Sequence, residues 1–340
     1  MILFDTRWIS NNGIGRFAAE LKNRIQFDVY YNSFLPSSPL DPIRLSIDKK
    51  VGSAKLFFSP GYNAPLFSKV PYVLTIHDIN HIDRDENSSV LKKIYYRTIL
   101  SKLVRNAELV FTVSNFSKER IIDYFHKDSN KVIVVGNGVS DEFSPDGKKF
   151  NLGTPYILCV SNRKKHKNED GLLKAFSMAN IPYNVKLIFT GEETIELKKL
   201  ITRLNLLDRV IFIGKVSNEI LADLYRGAFI SIFPSFYEGF GLPIVESFSC
   251  GTPIITSNIT SMAEVAEDGA LLVDPNDVDN ISEAIEKLFN DNILYRVLSE
   301  KGLEIAQKYT WENTIDKIRS NILSLGYNME LRKNEESINS

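Results

Sequence analysis

Twelve short apolar runs, each ending in polar residues or glycine, recur along the chain. They fall at 2–4, 27–31, 55–58, 72–76, 109–113 and 132–135, then at 156–160, 186–189, 210–213, 230–233, 253–255 and 270–273. Most are rich in Val, Ile, Phe and Tyr, which suits strands buried on both faces. Stretches of helical character separate them, at 15–25, 88–106, 117–127, 168–180, 193–205, 218–227, 243–250, 260–266, 279–290 and 292–308. Strand and helix in alternation predict an α/β protein with parallel sheets covered by helices on both faces. Twelve strands exceed one comfortable sheet, so two doubly wound domains are expected. The joint is expected within 144–154, where Pro, Gly, Ser, Asp and Asn collect. This gives a first domain at 1–150 and a second at 151–310. A C-terminal helix at 311–328 is expected to return to the first domain, and 329–340 to form a flexible tail. Two such domains facing each other make a cleft, and ligands of these sheets bind outside the carboxyl ends of the strands.

Composition narrows the classes. Apolar residues are 44% and charged residues 24% of the 340, which excludes a disordered chain, a collagen-like fibre and a coiled coil. Lys+Arg 41 against Asp+Glu 42 leaves a net charge of −1, so there is no global field for nucleic acid and none is expected as a partner. Cys159 and Cys250 sit inside apolar segments, as in a reduced, cytoplasmic protein. His77, His81, His126 and His166 match no zinc spacing. No run reaches the roughly 18 apolar residues of a spanning helix, and Met1–Asp5 reads as a first strand, not a leader.

The segment that carries the sharpest chemistry is SIFPSFYEGFGLPIVESFSCGTP, from Ser231 to Pro253. A strand runs into a loop holding Glu238, Gly239, Phe240 and Gly241, and a helix then opens at Leu242-Pro243. Glycines ahead of a helix N-terminus let backbone N–H groups approach an anion, and the helix dipole favours a phosphate there. Glu238, in the loop, is placed to accept hydrogen bonds from sugar hydroxyls. Glu246, about one turn into the helix, is placed to bind a ribose diol. The plainer alternative is a tight strand–helix turn with two solvated carboxylates.

The string E-G-F-G-L-P-x-x-E, followed by C-G-T-P and a strand ending Ser257-Asn258, resembles the retaining glycosyltransferases of family four, which have the GT-B fold of two Rossmann-like domains. The likeness runs along nearly the whole chain, through Gly13-Ile14-Gly15-Arg16-Phe17, Thr75-Ile76-His77-Asp78, Asn137-Gly138-Val139, Val160-Ser161-Asn162-Arg163 and Leu272-Val273-Asp274-Pro275. It implies that Arg163 and Lys167 hold the donor diphosphate, where fixed cations stabilise the charge that develops on the leaving group. It implies that His77 touches the donor sugar near the reacting carbon. It also implies that Gly13 and Gly15 border the donor phosphate and acceptor, and that backbone around Val216 reads the base. Ser161 departs from the glycine more usual in the family and weakens the expected backbone approach.

Three other motifs were weighed. Gly13-x-Gly15-x-x-Ala18 satisfies a dinucleotide fingerprint, but no acid ends the 27–31 run, so NAD is not expected. Asp83-Arg84-Asp85 spells D-x-D but follows no buried strand directly, so it reads as a solvated loop, and no metal or cofactor is expected. Residues 88–106 carry Lys92, Lys93, Arg97, Lys102 and Arg105 without an acid. They read as a partly buried helix with snorkelling basic residues, with peripheral attachment to the inner face of an anionic membrane as the second reading.

The expected enzyme moves a hexose, with mannose and GDP-mannose favoured over UDP sugars, to a hydroxyl of a glycan or lipid-linked glycan in surface polysaccharide (lipopolysaccharide) synthesis. A nucleotide-sugar epimerase and a non-catalytic sugar-nucleotide-binding protein are the alternatives.

Overall fold

The computed structural model describes residues 1–10, 13–36, 38–84 and 90–332. The chain divides into two compact units, Met1–Gly138 with Trp311–Ser340, and Val139–Thr310. The division lies ahead of the expected joint. Residues 144–154 belong to the second unit because their backbone is held there: Arg226 donates to the carbonyls of Ser144 and Lys148, and Phe150 N to that of Asp223.

The first unit contains β1 (Ile2–Asp5), β2 (Ile25–Gln26), β3 (Val29–Tyr31), β4 (Leu56–Ser59), β5 (Tyr72–Thr75), β6 (Leu109–Thr112) and β7 (Val132–Val134). Six of these form a parallel sheet in the order β3-β1-β4-β5-β6-β7. Alternate side chains leave the sheet on opposite faces, and both faces are packed. Leu3, Phe57, Leu74 and Val110 meet Leu45, Leu100, Leu103 and Ile121. On the other face, Phe4, Phe58, Val73 and Phe111 meet Phe17 of the Gly13–Arg24 helix and Trp311, Ile315 and Ile318 of the Trp311–Ser324 helix. That burial fixes the C-terminal helix on the first sheet.

The second unit repeats the plan with β8 (Tyr156–Cys159), β9 (Lys186–Phe189), β10 (Val210–Phe212), β11 (Ile230–Phe233), β12 (Ile254–Ser257) and β13 (Leu271–Val273), in the parallel order β10-β9-β8-β11-β12-β13. Ile157, Phe189 and Ile232 face one core, and Tyr156, Leu158 and Ile188 the other.

The structure departs from the sequence reading at three places. The expected tail begins as β14 (Glu330–Leu331), which pairs antiparallel with β2, while Met329 is buried against the first unit's core. Residues 333–340 lie outside the described residues. The basic segment is broken by a wide π turn, Tyr96–Leu100, between the helices Val90–Tyr95 and Ser101–Asn106. Its first residues are not partly buried: Val90, Leu91 and Ile94 are exposed. Among the described residues no helix is long and apolar enough to cross a membrane.

Candidate active site

In an open doubly wound sheet the ligand crevice lies where the strand order reverses, outside the carboxyl ends of the strands. In the second unit that point is between β8 and β11. Arg163 follows β8 and Glu238 follows β11, so strand order alone delivers both to the same edge.

After β8 the backbone turns sharply. Arg163 and Asn168 hold left-handed φ values of 63° and 55° on either side of the Lys165–Lys167 turn, conformations uncommon for residues with a side chain and concentrated at functional sites. Asn168 is fixed by a 2.7 Å hydrogen bond from its Nδ2 to the Pro275 carbonyl. The Arg163 guanidinium rests 5.2 Å from the ring centres of both Phe189 and Phe212, and its Nη2 donates to the Thr190 carbonyl. Its Nη1 lies 3.0 Å from Glu169 Oε1, yet Nε and Nη1 are buried without a hydrogen-bond acceptor. Buried donors are rarely left so.

Lys167 sits 4.6 Å above the Phe233 ring and donates to Glu238 Oε1 at 2.8 Å. The structure thus joins two of the predicted residues in one ion pair. Neither cation stands free in solvent: their side chains are 15% and 12% exposed. All these groups converge on the end of β8, where burial and Glu169 push the Cys159 thiol upward while Arg163 and Lys167 pull it down.

The loop after β11 is pinned to the loop after β12. Ser257 Oγ donates to the Ser235 carbonyl at 2.7 Å and Ser261 Oγ to the Glu238 carbonyl at 2.8 Å. Gly239 and Gly241 are buried, and Phe240 is packed edge-on against Tyr309 at 5.5 Å. Gly241, at φ 99°, turns the chain into the Leu242–Ser249 helix, with Pro243 in its first turn. Only glycine holds that angle without strain. Glu246 is buried within this helix and accepts a 3.2 Å hydrogen bond from the Tyr225 hydroxyl. Burial first, and then Glu246, raise that phenol well above its ordinary pKa, so it stays a donor. Val216 is half-buried against the second unit's core beside Ser217, which caps the Asn218–Gly227 helix. Its side chain packs against that core.

His77, Gly13 and Gly15 belong to the first unit. His77 follows β5 and its Nε2 donates to the Pro60 carbonyl at 3.1 Å, which fixes the tautomer. Burial lowers its pKa from 6.5 to about 4, offset in part by that hydrogen bond. The ring is therefore neutral at pH 7. Phe17 packs edge-on against it at 4.9 Å, so the helix that Gly13 opens touches His77. The two glycines differ. A side chain at Gly15 would collide with the Ser10 backbone at 2.1 Å, whereas one at Gly13 would meet open space.

Several residues escaped the sequence reading. Glu169, Thr190, Phe189 and Phe212 carry no motif signal, because only the strand order brings them together, whereas Phe233, under Lys167, belongs to the Ser231–Pro253 string. The Ser161 hydroxyl bonds Glu169, which braces Arg163. His166, in the Lys165–Lys167 turn, is buried. Asp83 is no solvated loop residue, being held by Arg120 through both carboxylate oxygens. Asp85 lies outside the described residues.

Comparison with known proteins now has geometry to meet. Residues 140–304 match the model of glycosyl transferases group 1, and 51–143 that of glycosyltransferase family 4. The chain is 33% identical over 255 residues to O-antigen chain mannosyltransferase B of Escherichia coli, covering 71% of this chain and 67% of that protein. It is 31% identical over 241 residues to O-antigen chain mannosyltransferase RfbU of Salmonella typhimurium, covering 70% and 66%. Alr3699/HepE of Anabaena, solved in complex with UDP and glucose, superposes with a TM-score of 0.77 over 95% of this chain and 99% of that one, at 19% identity. That likeness establishes the fold, two Rossmann-like units of the GT-B type. With its motifs, strand order and relatives in agreement, the chain belongs to the group 1, family 4 glycosyltransferases.

Proposed function

We propose that the protein transfers mannose from GDP-mannose to a hydroxyl of a glycan or lipid-linked glycan acceptor, with retention of configuration and without a metal. The observation that carries this reading is the pair of braced cations, Arg163 and Lys167, at the switch point beside the glycine-opened helix Leu242–Ser249. A diphosphate gains charge as the glycosidic bond breaks. Cations already held in place stabilise that charge without reorganising. The helix N-terminus adds its dipole. Glu246 takes the ribose and the Val216 backbone the base. Glu238, paired with Lys167, orients the sugar and does not attack it. The leaving diphosphate accepts the acceptor's proton on the face it departs from, which yields retention. His77, neutral and with Nε2 committed to Pro60, contributes a hydrogen-bonding contact and not a charge. Mannose is favoured because the curated relatives at 33% and 31% identity are mannosyltransferases. A lipid-linked acceptor would place the enzyme at the inner face of the membrane.

The test is product analysis with GDP-mannose and UDP-glucose in excess EDTA, with and without a mannan oligosaccharide. Nucleoside diphosphate released only with acceptor, and an α-linked product by NMR, is the expected result. Conversion of the donor sugar without acceptor would favour an epimerase. Activity that needs added manganese would remove the metal-free reading.

A further inference from the structure

Three segments of the first unit hold large apolar side chains out to solvent instead of into its cores. Phe34, Leu35, Leu40 and Ile47 do so on the Asp41–Ile47 helix and the loop ahead of it. Phe67 does so after β4, and Leu91 and Ile94 on the Val90–Tyr95 helix. Leu35 and Leu91 are 77% and 79% exposed. In the second unit, exposed residues of this kind occur singly or in pairs along the described chain.

Contacts join the three segments into one face. The Arg44 guanidinium lies 5.5 Å from the centre of the Phe34 ring, which ties the loop to the helix. Ser46 Oγ, on that helix, accepts the Phe67 N–H at 3.0 Å, and Lys102 Nζ lies 4.9 Å from the centre of the Phe67 ring. The Tyr95 hydroxyl donates to Asn63 Oδ1, and Asn63 Nδ2 donates to the Pro36 carbonyl. Leu91 and Lys92 line one hollow together with Pro39. Phe34 is held in this face against its own preference. Its φ is 61°, an outlier for a bulky side chain, and its ring is exposed. Such strain persists where the surrounding structure imposes it, and it gathers at functional sites.

The same face is basic. Residues 34–47, 61–70 and 90–106 contain seven Lys and Arg, among them Arg44, Lys92, Lys93 and Lys102, against a single acid, Asp41. Asp41 is buried between Arg7 and Asn63, so it cancels none of that charge. Asp48, at the border, is engaged by the Tyr31 hydroxyl and the Lys50 N–H. Exposed apolar side chains among uncompensated cations fit a partner that is apolar within and anionic at its surface. Four of the seven cations are lysines, which protein interfaces avoid and anionic lipid surfaces attract.

We propose that this face docks the first unit on an anionic lipid bilayer. Phe34, Leu35, Leu91 and Ile94 enter the headgroup region, and Arg44, Lys92, Lys93 and Lys102 meet lipid phosphates. The footprint is built from three segments, not from one amphipathic helix. It rests on the transferase reading for its purpose, which is to bring the enzyme to a lipid-linked acceptor.

The test floats the full chain with vesicles of phosphatidylcholine alone, or of phosphatidylcholine mixed with phosphatidylglycerol. Binding to the anionic vesicles that weakens as salt rises, and little binding to the neutral ones, are expected. Lys92→Glu with Lys93→Glu should weaken binding by about tenfold or more. Lys198→Glu with Lys199→Glu, exposed on the second unit, should leave it unchanged. Phe34→Gly removes the ring and releases the strained φ, so vesicle binding should fall while the melting temperature holds or rises. Trp8 and Trp311 are buried, so Leu91→Trp adds an exposed reporter whose emission should shift to shorter wavelength on anionic vesicles only. No binding to anionic vesicles, an equal loss in both charge-reversed proteins, or no shift in emission overturns the proposal. Self-association that Phe34→Gly abolishes, without vesicle binding, would give the face to a second copy of the chain and overturn it as well. GDP and UDP binding, measured in parallel, reads the second unit. If only the nucleotides fail to bind, the transferase reading falls and the docking face stands; if only the vesicles fail, the face alone is wrong.

Discussion

The two units share a strand order but treat charge in opposite ways. At the switch point of the first, Arg7 lies between Asp5 and Asp41, with all three side chains at most 2% exposed. It bonds both carboxylates with two nitrogens each. At the switch point of the second, Arg163 and Lys167 each face one carboxylate and lie on phenylalanine rings, and Arg163 keeps buried N–H groups with no acceptor. One topology thus supplies two crevices. In the first, two carboxylates commit the buried cation; in the second, each cation has one.

The largest effect comes from breaking the first unit's triad. Arg7→Met strands two buried carboxylates, and should cost about 3–5 kcal/mol of that unit's stability, read as a lowered urea midpoint. An unchanged midpoint would mean the triad is not the structural lock described. Breaking the second unit's pairs should act on turnover. Arg163→Ala and Lys167→Ala are each expected to lower kcat by roughly 10²–10³. Because both cations are braced and largely enclosed, these variants will also lose some thermal stability. Arg163→Lys separates the two effects: it keeps the charge but loses the guanidinium's fork, so turnover should fall with a smaller change in melting temperature.

Much of the fold was legible because β-strands buried on both faces write themselves as continuous apolar runs. All twelve predicted runs overlap strands, and the Leu242–Ser249 helix begins where Pro243 and Gly241 said it should. What escaped is what depends on contacts distant in sequence. β14 is two residues long and exists only because β2 is there to pair with. The loop 144–154 reads as a linker by composition, yet Arg226, far along the chain, anchors it. At the candidate site the charged residues were readable from motifs and strand ends. Their partners, Glu169 for Arg163 and Tyr225 for Glu246, were not, since nothing local marks a brace.

A finer comparison sets two glutamates of the second unit against each other. Glu238→Gln should mostly lower kcat, by on the order of 10²-fold, since a small misplacement of the reacting carbon is costly. Glu246→Gln should mostly raise the donor KM, because contact with the ribose is alike in ground and transition states. Steady-state kinetics showing the reverse pattern would exchange the two roles.

The smallest expected effect concerns pH. The folded-state pKa of His77, about 4, lies below its unfolded value of 6.5. Between those values the unfolded chain takes up the proton first. His77's contribution to stability is therefore complete above pH 6.5 and is lost as the pH falls toward 4. His77→Asn should shrink the drop in urea midpoint between pH 7 and pH 5, and an equal drop in both proteins would contradict the neutral ring.

The protein's own cations are expected to hold a nucleoside diphosphate at the second unit's switch point. Calorimetric titration of GDP and UDP in excess EDTA tests it most directly, on the unsubstituted chain and on Arg163→Lys. At least one nucleotide is expected to bind the unsubstituted chain in chelator and to bind Arg163→Lys about tenfold or more weakly. Binding that appears only after manganese or magnesium is added, or equal affinity in the two proteins, would contradict it.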